Sequence, residues 1–169
     1  MPGAGALAFH RDSAYFDLEP SSVTTVWIAL DDMTPSIGPL QYVRGSHAWT
    51  QGRVGSAQQF FPDKKNHRSL LLSAATQIGL MESDLDIVAV DVEAGGAGIH
   101  NGRLWHGSDA NRSTDQPRRG LSVHFVPGSA RFASREGRTL AHRQMEAASA
   151  SWTDQMPDES LFPVTHRGP

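Results

Sequence analysis

Short apolar runs, never long ones, set what this chain can fold into. "VTTVWIAL" (23–30) is rich in β-branched residues and bounded by turn-forming ones, "LDIVAVDV" (85–92) reads as a strand, and "RGLSVHFV" (119–126) alternates well enough to be another. "ALAFH" (6–10) adds another, and "IGPLQYVRGSH" (37–47) reads as a Gly-Pro turn, a short strand and a second turn. "EAGGAGIHNG" (93–102) places glycine turns around one more strand. Residues 69–83 suit one helix broken near Gly79, and a second helix is expected near 138–150. The stretch 51–67 has no period and reads as an excursion loop pinned to the body by Phe60 and Phe61. Regularly spaced strands with turn signals predict a β-sandwich or barrel with a few helices. At 169 residues the expectation is one domain over 1–169, with 128–169 as a polar C-terminal extension packed on it.

The bulk properties narrow the partners. A net charge of −3 gives no general attraction to nucleic acid or to anionic membranes, so a small-molecule substrate is expected, with no nucleic acid and no membrane. The absence of cysteine excludes disulfides, zinc fingers, iron–sulfur clusters and thiol catalysis, and leaves His, Asp and Glu to hold any metal. No apolar run approaches the roughly 20 residues that span a bilayer. "MPGAGALAFHRD" lacks the cationic start and apolar stretch of a secretory leader. The expected location is the cytoplasm or another reducing intracellular compartment.

The candidate chemistry lies in "FHRDSAYF". On a strand His10 and Asp12 would share a face and could grip one ion, with His106 of "WHGS" as a third ligand. Two histidines and a carboxylate leave coordination sites open, as in non-haem Fe(II) oxygenases. Alone, H-x-D is a weak signal that a chain with eight histidines can show by chance. His47, His67, His142 and His166 read as solvated. His124 reads as a strand histidine bonded to a neighbour, and His100 as a rival to His106. The combination with two arginines strengthens the metal reading. A dicarboxylate such as 2-oxoglutarate would chelate iron through its keto acid end and need a fork-shaped cation for its far carboxylate. Arg118 or Arg119 is placed to supply it, with Ser108 adding a hydrogen bond. A solvated surface cluster is the plain alternative for that arginine pair.

Taken in order, "FHRDSAYF", "VTTVWIALDDM", "GPLQYVRGSHAW", "WHGSDANRS" and "PRRGLSVHFVP" resemble the phytanoyl-CoA dioxygenase family of Fe(II)- and 2-oxoglutarate-dependent oxygenases, over residues 8 to 127. The resemblance implies a mainly β double-stranded β-helix, or jelly roll, with iron held by His10, Asp12 and His106. It implies 2-oxoglutarate bound by Arg118, which best matches the family's arginine, although Arg119 stays open, and by Ser108. The family's pocket tryptophan falls on Trp27, which a core role would explain equally well. Gly45, Ser46 and His47 match a structural turn. Family members carry a long segment before H-x-D, whereas this sequence starts nine residues before His10. The first barrel strand is therefore expected to be missing, exposing a sheet edge through which copies could associate. The implied activity is hydroxylation of a small organic substrate using O2, with release of succinate and CO2. Asp12 favours hydroxylation over halogenation, since related halogenases vacate that position. Two alternatives stand beside it: an inactive jelly-roll binding module or subunit that keeps the metal site, and a Mn or Zn enzyme without 2-oxoglutarate, which leaves the arginine and HGS positions unexplained. Nothing in the sequence encodes the substrate.

Overall fold

The computed structural model describes residues 2–16, 18–50, 66–133, 143, 147 and 159–166. In chain order its elements are β1 (Leu7–His10), α1 (Ser13–Phe16), β2 (Leu18–Glu19), β3 (Thr24–Ala29), β4 (Leu40–Val43), α2 (Ser69–Gln77), β5 (Ile87–Ala89), β6 (Ala97–Asn101), β7 (His106–Ser108), β8 (Gly120–Phe125) and β9 (Arg131–Phe132). Every strand pairing is antiparallel. One sheet has four strands in the order β1-β7-β4-β5, another has three in the order β6-β3-β8, and β2 pairs with β9.

The period-2 pattern of 23–30 produces the centre of the three-stranded sheet. Thr25, Trp27 and Ala29 are buried while Val26 and Ile28 are only partly covered, so one face of β3 looks into the molecule. Trp27 and Ala29 pack there against Met33, Ile37 and Leu40, with Tyr42 of the four-stranded sheet beside them, which closes the two sheets on a common core. Behind the four-stranded sheet, Leu71 and Ala74 of α2 cover Phe9, Val43 and Trp105. A third cluster joins Phe16, Leu18, Val23, Ala130 and Phe132, with Phe162 against it. No helix among the described residues is long and apolar enough to cross a membrane.

Most expected elements appear close to their sequence boundaries. The helix from Ser69 stops at Gln77, before Gly79 at φ 79°, and a 3-10 turn follows at Glu82–Asp84. The strand expected over 85–92 is shorter, Ile87–Ala89 opposite Val43, Tyr42 and Gln41, with Val90 still donating its amide to the Leu40 carbonyl at 2.7 Å. The loop at 51–67 lies outside the described residues apart from 66 and 67, and the helix at 138–150 apart from two positions. β6 and β8 are the edges of their sheet, with Ile99, Leu121, Val123 and Phe125 exposed.

Candidate metal centre

The pairing of β1 with β7 builds the centre. Leu7 lies opposite Ser108 and His10 opposite His106, so Ala8 and Phe9 together face Gly107 alone. This is a β-bulge, the device that re-aims a side chain at the end of a strand. Gly107 is required by the close approach: a Cβ there would lie 2.7 Å from Phe9 Cδ2 and 2.9 Å from the Leu7 carbonyl oxygen. The bulge brings the His10 and His106 rings to 4.2 Å between centroids.

Both rings are oriented in the same way. His10 Nδ1 lies 2.8 Å from the Ala8 carbonyl and His106 Nδ1 lies 2.9 Å from the Leu104 carbonyl. A carbonyl can only accept, so each Nδ1 donates its proton and each Nε2 keeps its lone pair. Those two lone pairs face Asp12 Oδ1, at 3.6 Å from His10 Nε2 and 3.4 Å from His106 Nε2.

Asp12 reaches this point differently from the sequence expectation. β1 ends at His10, so H-x-D does not lie on one strand; the chain turns there, the Ser13 amide donates to the Gly102 carbonyl, and Asp12 sits in the turn. The intervening Arg11 is buried with its Nε donating to the Arg103 carbonyl at 2.9 Å.

His10, Asp12 and His106 each offer one donor atom, all within 4.8 Å of one another, and all three residues are buried. Cis ligands on one ion with bonds of about 2.1 Å stand about 3 Å apart, so the spacing suits a first-row ion after small adjustments. The charge states suit it too. Burial raises the Asp12 pKa, but its close histidine neighbours His10, His100 and His106 outweigh it and hold the carboxyl far below the ordinary carboxylate range. Burial, then the neighbouring His106, lowers the His10 pKa, which keeps that imidazole neutral and able to ligate.

A second group of residues surrounds the other carboxylate oxygen. Thr25 Oγ1 donates to Asp12 Oδ2 at 2.6 Å, and His100 Nε2 stands 3.1 Å from the same atom. Tyr42 Oη lies 3.0 Å from His100 Nδ1, and His124 Nδ1 lies 2.9 Å from Thr25 Oγ1. Thr25 is the cross-strand partner of both His100 and His124, so the three form one row across the sheet. His100 thus stands beside the three-residue group, on the other carboxylate oxygen of Asp12. His67, expected to be solvated, instead has its Nε2 2.9 Å from the Asp109 carboxylate. The signal for the row was register, which the sequence does not print.

The arginine pair divides. Arg119 turns outward and binds Asp31 through Nε and Nη2, with most of its side chain exposed. Arg118 is half-buried: its Nη1 donates to the carbonyls of Gly38 and Asp109 at 2.6 Å each, and its Nη2 to that of Gly5 at 3.2 Å. Among the described residues those bonds use three of the five N–H groups of a guanidinium. Ser108 is buried two residues after His106 and accepts the Leu7 amide at 3.3 Å. Trp27 belongs to the core between the sheets, its indole against Gly120.

The family model for phytanoyl-CoA dioxygenase (PhyH) matches residues 1–120. A phytanoyl-CoA dioxygenase domain-containing protein 1 homolog of Dictyostelium discoideum is 27% identical over 128 residues, which is 73% of this chain and 42% of that protein. The dioxygenase FrzG of a Cladobotryum species is 26% identical over 125 residues, 74% of this chain and 37% of its own. The chain thus spans less than half the length of these curated relatives. Among solved structures, the non-haem α-ketoglutarate-dependent carbocyclase SnoK from nogalamycin biosynthesis aligns with a TM-score of 0.64 at 24% identity, over 96% of this chain and 55% of that one. The epimerase SnoN, solved with Fe3+, α-ketoglutarate and nogalamycin RO, aligns at 0.58 and 24%, over 77% and 45%. These likenesses carry the jelly-roll fold. With H-x-D, HGS and the strands that hold them inside the matched region, the chain belongs to the phytanoyl-CoA dioxygenase family.

Proposed function

We propose that the chain carries the iron and co-substrate centre of an Fe(II)- and 2-oxoglutarate-dependent dioxygenase that hydroxylates a small organic molecule, releasing succinate and CO2. The observation that carries this reading is the convergence of His10 Nε2, His106 Nε2 and Asp12 Oδ1, with both histidines fixed in the ligating tautomer by backbone carbonyls. Iron held there would supply the redox chemistry that couples decarboxylation of 2-oxoglutarate to oxidation of the substrate. The chain's own residues supply the rest. His10, Asp12 and His106 would hold the ion, Arg118 would take the far carboxylate through its remaining N–H groups, and Ser108 would add a donor. The core around Trp27 and Tyr42 keeps water from one side of the centre.

The test is anaerobic titration of metal-free protein with Fe(II) and then 2-oxoglutarate, following the visible charge-transfer band of the chelate. Wild type develops the band, and Arg118→Ala, checked for folding by circular dichroism, needs far more 2-oxoglutarate to do so. No band from folded wild-type protein rejects the reading, as does substantial succinate formation by Asp12→Ala or His106→Ala.

The open edges β6 and β8, with exposed Ile99, Leu121, Val123 and Phe125, support self-association as part of this reading. Sedimentation velocity across a concentration series tests it, and a monomer at every concentration rules it out.

A further inference from the structure

The two oxygens of Asp12 have different surroundings. Among the described residues, Oδ1 faces His10 and His106, from β1 and β7 of the four-stranded sheet. Oδ2 faces the three-stranded sheet, where Thr25 of β3 donates at 2.6 Å and His100 of β6 lies at 3.1 Å. A carboxylate can only accept, so His100 Nε2 is a donor there. Its Nδ1 then accepts the proton of Tyr42, a phenol that burial, with the nearby Asp12 charge, pushes up to about 12 and so keeps protonated. Thr25 has one proton and spends it on Asp12, so its oxygen receives the Nδ1 proton of His124. Two donor arms, Tyr42–His100 and His124–Thr25, therefore end on one oxygen.

Resting on the iron-centre reading above, we propose that His100 and Thr25 are positioning residues that occupy Oδ2 and so confine Asp12 to binding the metal through Oδ1 alone. A carboxylate released from them could swing and take a second coordination position. Three positions must stay open for a chelating keto acid and dioxygen, so a carboxylate held by one oxygen matters to the centre. Tyr42 and His124 act one bond further out by fixing which nitrogen of His100, and which side of Thr25, carries the proton.

The probe is Mn(II), added to metal-free protein. Free Mn(II) is read by electron paramagnetic resonance for affinity, and water-proton relaxivity per bound ion reports its exchangeable waters. Thr25→Val keeps the side-chain shape and loses the donor, Thr25→Ser keeps the donor, and His100→Phe removes the other arm; melting curves verify that each is folded. Thr25→Val and His100→Phe are expected to bind Mn(II) roughly ten- to a hundredfold more weakly and with lower relaxivity per bound ion, and Thr25→Ser to recover both. Folded variants that bind with wild-type affinity, or more weakly at unchanged relaxivity, overturn the positioning role while leaving the iron centre standing. Failure of wild type to bind Mn(II) removes both readings together.

Discussion

Asp12 is nearly fully buried, yet ionised, because Thr25 and His100 donate to its Oδ2 and the histidines around it outweigh the cost of burial. Its replacement is correspondingly costly. Asp12→Ala leaves Thr25 and His100 without their acceptor, a loss of about 1–3 kcal/mol for each stranded donor, and it should abolish Mn(II) binding at concentrations that saturate wild type, measured by urea unfolding and metal titration. Acid should weaken the metal-free protein through its histidines. Burial lowers the pKa of His10, aided by His106, and that of His124. Between the ordinary value of 6.5 and the lower folded value, the unfolded chain binds protons that the folded chain refuses. Their contribution is therefore complete above pH 6.5 and is lost as pH falls through the folded values. Urea midpoints that stay level from pH 7.5 down through that window would contradict this. Arg119→Ala should leave both melting temperature and 2-oxoglutarate affinity unchanged, because Arg119 and Asp31 pair on the outside. At this scale H-x-D and the HGS histidine were legible from residue type and order. The part played by His100 was not, since its meaning depends on Thr25 standing directly across the sheet.

The element that makes the site is the bulge of β1 against β7, and it hangs on one glycine. Gly107→Ala would drive a methyl group into Phe9 and the Leu7 carbonyl. The expected effect is a loss of about 1–3 kcal/mol from overpacking, together with weaker Mn(II) binding as His10 moves off His106; a thermal melt and a metal titration read the two effects. An unchanged melt with unchanged affinity would mean that the strand pair tolerates the added carbon. The run that became β3 was legible because a half-buried strand alternates and selects β-branched residues, whereas β8, exposed along its whole length, shows only apolar-polar alternation in its sequence. The bulge was not, because "ALAFH" is the same string whether or not it slips by one residue against its partner. Nor was the length of β5, since where pairing with β4 stops is a property of the partner strand as well as of its own residues.

Across the whole molecule, the resemblance carried by the order of the motifs implied the jelly roll before any strand was paired, and His10 and the HGS residues do lie on neighbouring strands. The way the two sheets share Asp12 needed the structure. The ion should stabilise the fold by mass action, about 2.7 kcal/mol at a free concentration one hundred times Kd, so Mn(II) is expected to raise the melting temperature and a chelator to reverse it. Asp12→Ala should melt at the same temperature with or without Mn(II), and a shift that survives in that variant would place the binding elsewhere. The carboxylate gripped from both sides has a kinetic side as well. In the loaded protein the carboxylate ties the two sheets together, so the amides of Val26 in β3 and Gly107 in β7 should exchange their hydrogens with solvent through one shared opening, with the same opening free energy.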